Sequence, residues 1–136
     1  MNNSRFAISV HILTLLAGAN GELLSSEYIA GSININPVLV RKELINLKKH
    51  GFVASKEGKN GGVYLNKSAA NIRFSDVYNA VKQSSLLGEA KNEPNPLCPI
   101  GRQIKTHLNN LYTDAENAMV GQLSTTTLQN FLNQFD

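Results

Sequence analysis

Asn36-Pro37-Val38-Leu39-Val40-Arg41-Lys42-Glu43-Leu44-Ile45-Asn46-Leu47-Lys48-Lys49-His50-Gly51-Phe52-Val53 holds a helix start, a helix stop and a change of hydrophobic period. Asn followed by Pro is a capping residue before a first helical position that needs no N–H. The spacing predicts a helix over 37–50, ended by Gly51. Leu39, Val40, Leu44, Ile45 and Leu47 give it one buried face, with Arg41, Lys42, Lys48 and Lys49 largely off that face. Beyond Gly51, Phe52–Lys56 and Val63–Leu65 read as two strands around the glycine-rich tip Glu57-Gly58-Lys59-Asn60-Gly61-Gly62.

Toward the N-terminus, Ser25 starts a short helix with Glu27 in its first turn and Tyr28, Ile29 and Ala30 inside. Gly31-Ser32 ends it, and a turn around Ile33–Ile35 leads into the helix at Pro37. Leu23-Leu24 forms a short extended piece. Earlier still, Ser4 caps a helix carrying Phe6, Ile8, Val10, Ile12, Leu13, Leu15 and Leu16, apolar on most sides and therefore central. Gly18 and Asn20-Gly21 end it.

Toward the C-terminus, Phe74-Ser75-Asp76 opens a fourth helix with Val77, Tyr78 and Val81 inside. A connector with Gly88, Pro94, Pro96 and Pro99 lacks regular structure over much of its length. A long helix is expected from Pro99 to Leu123. Along it Ile100, Ile104, Leu108, Leu111, Ala115 and Ala118 follow a heptad-like seam suited to pairing with a second chain. Ser124–Thr127 breaks it, and Leu128–Phe135 makes a short terminal helix. The fold class is mainly α with a small two-stranded β-hairpin. A winged helix-turn-helix domain covers 1–83, a connector 84–98, and a dimerisation helix with the terminal helix 99–136.

The 136 residues are 42% hydrophobic and 17% charged, which predicts a folded core. Ala7–Ala19 is interrupted by Ser9, His11, Thr14 and Gly18, so no membrane span is expected. Met1–Arg5 has no secretory leader, and a single cysteine makes no disulfide framework; both point to the cytoplasm. The net charge of +3 is unevenly placed. Residues 37–60 carry six basic side chains against two carboxylates, whereas 61–136 carry six of each. Charge alone reads as a solvated helix face. Joined to the element order, it reads as one surface for a polyanion.

An α-helix fits the major groove and brings its N-terminal turns to the base edges. Those turns carry Asn36, Val38, Arg41 and Lys42. Asn and Arg can bond bases at two points, and Val can touch a thymine methyl. Lys48 and Ser25 flank them. Lys59, Asn60 and Gly61 at the hairpin tip reach a neighbouring groove or phosphate. The partners expected are a double-stranded operator and a second copy of the chain, with a small-molecule or oxidant effector as the candidate signal. The competing reading is a winged helix used for protein contact, which shows no salt-dependent duplex binding.

Ser4-Arg5-Phe6-Ala7, Ser25–Ala30, Val40–Val53, Gly58–Leu65 and Ile72–Val77 together resemble the Rrf-type (IscR/NsrR/CymR-like) bacterial regulators over nearly the whole chain. The resemblance implies a dimeric transcription factor, expected to be a repressor, on a palindromic operator. It implies that Ser4 and Arg5 hold phosphate, and it puts Asn36, Val38, Arg41 and Lys42 at recognition positions. Glu57 departs from relatives that carry a basic residue there.

Cluster-binding members use three cysteines in the connector, and this chain has only Cys98. Cys98 and His107 are nine residues apart, about 900° of helical rotation and about 13 Å of rise, so they cannot converge within one chain. No cofactor or metal is expected. Cys98, read as the cap of the long helix, is either a redox-responsive thiol or an inert packed one. No nucleophile motif, P-loop or metal-ligand spacing supports an enzyme, and a thiol peroxidase built on Cys98 is the only enzymatic alternative.

Overall fold

A computed structural model of the chain describes residues 4–83 and 87–136. Met1–Asn3, where no leader is expected, and 84–86 at the start of the connector lie outside the described residues. α1 (Ser4–Gly18) runs through the centre, with Ile12 and Leu13 fully buried. Ser4 is already helical, so it does not cap α1. Asn20 and Gly21, both at positive φ, turn the chain out of it.

α2 (Ser26–Ile33) is capped by Ser25, whose Oγ accepts from the Tyr28 N–H at 3.1 Å. It does not stop at Gly31-Ser32. It continues until Asn34, at φ 64°, closes it with an N–H bond to the Ala30 carbonyl. That extra turn brings Ile33 against the core.

α3 (Pro37–Lys49) begins as its sequence dictates: Asn36 Oδ1 accepts from the Val38 N–H at 2.9 Å, and Pro37 follows. Gly51, at φ 81°, ends it. The buried face is Val40, Glu43, Leu44 and Leu47. Leu39 (48%) and Ile45 (71%) are exposed, a correction to the apolar face read from the sequence. Counting 100° per residue from Val40, Leu44 and Leu47 stay on one stripe while Ile45 falls well round the helix. Glu43 occupies the stripe instead.

β1 (Val53–Lys56) and β2 (Gly62–Leu65) pair antiparallel, with Val53 opposite Leu65 and Lys56 opposite Gly62. Leu24 adds a one-residue bridge to Val63, with both backbone bonds made. This ties the α1–α2 link to the wing. A Cβ at Gly61 would strike the Lys56 carbonyl oxygen, so the tight tip requires glycine there.

A 3-10 turn (Ala69–Asn71) leads to α4 (Phe74–Val81), where the Asp76 carboxylate accepts from the Arg73 N–H. Residues 87–103 carry only turns and bends. α5 (Ile104–Leu123) therefore starts five residues later than expected. Cys98, Pro99, Ile100 and Gly101 turn back on Asn95, whose carbonyl accepts from the Cys98 N–H at 3.1 Å. A Cβ at Gly101 would lie 2.8 Å from that carbonyl.

α5 has no buried residue and lies against α4, where the Tyr78 hydroxyl donates to Glu116 at 3.1 Å. α6 (Leu128–Leu132) is shorter than expected. It folds back onto α1: Leu128 is buried, and its N–H reaches the Ile72 carbonyl at 2.8 Å. Phe131 stacks obliquely on Phe74, with centroids 5.0 Å apart. No helix among the described residues is long and apolar enough to cross a membrane.

Candidate nucleic-acid interface

The basic residues of α3 do not share one environment. Asn36, Val38, Arg41, Lys42 and Lys48 are all exposed. Arg41 leans across to α2: its Nη1 donates to Ser26 Oγ at 3.4 Å and lies 3.6 Å from Glu27 Oε1. Lys48 crosses to the wing, its Nζ donating to Ser55 Oγ at 2.7 Å. Among the described residues Lys42 has neither an ion pair nor a side-chain hydrogen bond. α2, α3 and the wing thus enclose a groove of about 480 Å³ whose walls include Arg41, Lys48 and Lys56 together with Glu27 and Glu57.

At the hairpin tip, Lys59 and Asn60 are exposed, and Asn60 takes the left-handed conformation at φ 64°. Glu57 is exposed beside them, so its carboxylate faces the solvent that a phosphate would enter. Ser25, also exposed, uses its hydroxyl oxygen to cap α2.

Ser4 is exposed at the start of α1, but Arg5 is turned toward the protein. Arg5 Nε and Nη2 donate to the two Glu43 oxygens at 2.8 and 3.1 Å. Glu43 is almost fully covered, and its bond holds the Arg5 guanidinium above its ordinary pKa, against the opposing pull of burial. This two-point pair fixes α1 to α3 and so sets the angle at which α3 is presented. Sequence reading missed Glu43. The available signal was its place three residues after Val40, on the buried stripe.

Cys98 is exposed, and its Sγ accepts from the Gly101 N–H at 3.4 Å. It caps a turn before α5 and not α5 itself, whose capping position is Gln103. Along α5, Ile104, Leu108, Leu111, Ala115 and Ala118 are all solvent-exposed, Leu111 by 60%.

The Rrf2 family model, described as an iron-dependent transcriptional regulator, matches residues 2–134. A protein of Bacillus subtilis (strain 168) named as an HTH-type transcriptional regulator, YwnA, is 38% identical over 133 residues, 98% of each chain. A crystal structure described as that of a DNA-binding protein is similar, with TM-score 0.77 and 35% identity over 95% of this chain and 99% of that one. The global cysteine regulator CymR of B. subtilis has the same fold, with TM-score 0.73 at 20% identity over 100% of this chain and 98% of its own. Iron in that family description needs a donor set, and thiolates are the usual cluster ligands. This chain has one cysteine, and the described residues bring no three His, Cys, Asp or Glu side chains together. These residues do not fit an iron centre.

Proposed function

We propose, from the premise that this chain belongs to the Rrf2 family of transcriptional regulators, that it is a cytoplasmic repressor that reads a palindromic operator as a homodimer. It is a DNA-binding transcriptional regulator, from a family of regulators and not of enzymes.

The observation that carries this proposal is the Asn36-capped start of α3, which leaves Asn36, Val38, Arg41 and Lys42 exposed on one helix end. In this reading Arg41 and Asn36 address base edges, and Val38 meets a thymine methyl. Lys42, Lys48, Ser4 and Ser25 hold phosphates, with the remaining Nη1 of Arg5. The wing adds Lys59, Asn60 and the backbone at Gly61. Two copies joined along Ile104, Leu108, Leu111, Ala115 and Ala118 set their recognition helices about 34 Å apart, one turn of DNA.

Arg41→Ala should lower affinity for the selected operator by about 1–3 kcal/mol and relax one base position. Lys59→Ala should weaken all duplexes evenly and flatten the salt dependence. An Arg41→Ala protein that binds its operator as tightly as wild type removes the recognition role.

The signal in this proposal is oxidation of Cys98, which is exposed and accepts an N–H bond at its sulfur. A hydroperoxide transfers one oxygen atom to the thiol, giving a sulfenic acid and leaving as water or an alcohol. The change in the turn that leads into α5 then alters the spacing of the two recognition helices. Wild type and Cys98→Ser, each assayed for DNA binding with and without peroxide, test this. Equal responses from both remove Cys98 as the sensor.

A further inference from the structure

We propose that Glu27 is a positioning residue for base reading: from the first turn of α2 it holds the Arg41 guanidinium in the orientation in which it meets DNA. This rests on the reading of α3 as the recognition helix.

Three side chains form a closed ring. Arg41 Nη1 donates to Ser26 Oγ at 3.4 Å, Ser26 Oγ donates to Glu27 Oε2 at 3.2 Å, and Glu27 Oε1 lies 3.6 Å from the same Nη1. Among the described residues only Nη1 is engaged. Among the described residues Nε and Nη2 of Arg41 have no partner, so the guanidinium keeps a two-point edge of the kind that matches guanine.

The carboxylate is anchored from its own side as well. Glu27 lies in the first turn of α2, where the helix dipole favours a negative charge whether or not Arg41 is present. Lys42, next in the chain, has no such brace. A carboxylate at the mouth of a basic groove repels phosphate, so its presence costs non-specific affinity. Both partners are more than half exposed, and such pairs add little to folding. Orientation is what the pair supplies. A long side chain already held in its bound rotamer loses less freedom on binding.

The experiment uses full-length protein and a duplex library with a random central segment, from which wild type selects its operator. Affinities for that operator and for a scrambled duplex of equal composition are then measured for wild type, Glu27→Gln, Arg41→Ala and the double variant, each checked for unchanged thermal unfolding. Glu27→Gln should lower the operator-to-scrambled ratio about three- to tenfold. It should bind scrambled duplex at least as tightly as wild type. In the Arg41→Ala background it should change the ratio no further.

A ratio equal to wild type, an equal loss on both duplexes, or effects of the two substitutions that simply multiply would each overturn the positioning role. If Arg41→Ala lowers the ratio and Glu27→Gln does not, this role alone falls. If Arg41→Ala also leaves the ratio intact, the recognition-helix reading falls with it.

Discussion

Ser9 is fully buried in α1, and its Oγ has no hydrogen-bond partner among the described residues. An unsatisfied buried hydroxyl costs free energy that alanine does not. Ser9→Ala should therefore raise unfolding stability by about 1 kcal/mol in urea titration. A loss of stability instead would mean that the hydroxyl has a partner. Glu43 poses the opposite case. Its two oxygens receive Arg5 Nε and Nη2, and it is almost completely covered. Glu43→Gln keeps the shape but loses the charge, and should cost about 1–3 kcal/mol by the same titration. The α1–α3 angle depends on this pair, so operator binding should weaken as well. Arg5 thus has a structural role that motif reading alone, which points to phosphate, does not reveal.

At the scale of elements, the tip of the wing depends on a close approach at Gly61. Gly61 sits where a Cβ would meet the Lys56 carbonyl oxygen and lie 2.8 Å from that of Gly58. Backbone atoms cannot step aside as a flexible side chain can. Gly61→Ala should cost about 1–3 kcal/mol and loosen the tip, read as faster amide exchange across Val53–Leu65.

The α4–α5 junction carries a pH dependence. Burial pushes the Tyr78 phenol above its ordinary value, and the Glu116 carboxylate that it bonds adds to the shift. The folded state therefore binds this proton more tightly than the unfolded state. The stabilisation is fully present below the ordinary phenol range near 10 and is lost as pH rises through the raised one. Urea midpoints measured across that alkaline range should fall more steeply for wild type than for Tyr78→Phe. Parallel curves would remove Tyr78 from the account.

At the scale of the whole molecule, a 20-residue helix with no buried residue cannot be justified by its own chain. α5 is about 30 Å long and touches the domain mainly along α4. Its exposed Ile104, Leu108 and Leu111 are the surface that the proposed homodimer covers. Leu108→Glu with Leu111→Glu should give a monomer by sedimentation at micromolar concentration while leaving the helical circular dichroism of the domain largely intact. Operator affinity should fall steeply, because two half-sites are then no longer bound as one. A double variant that remains dimeric places the interface elsewhere.

The sequence alone determined the local grammar of the fold. Asn36-Pro37, Ser25, Asn20-Gly21 and Gly51 act through side-chain caps and positive φ, which depend on a few neighbouring residues and so can be read from short stretches. The element order, the wing and the exposed start of α3 follow from those signals and from periodicity. The tertiary structure decided what lies against what. It turned Leu39 and Ile45 outward, put Glu43 inward against Arg5, folded α6 back onto α1 and delayed α5 to Ile104. It also brought Glu27 and Ser26 to Arg41. Apart from the local turn over Asn95–Gly101 that delays α5, each of these joins residues distant in the chain or selects among helical faces of similar polarity. That choice is made by packing energy across the whole core, which no local pattern records.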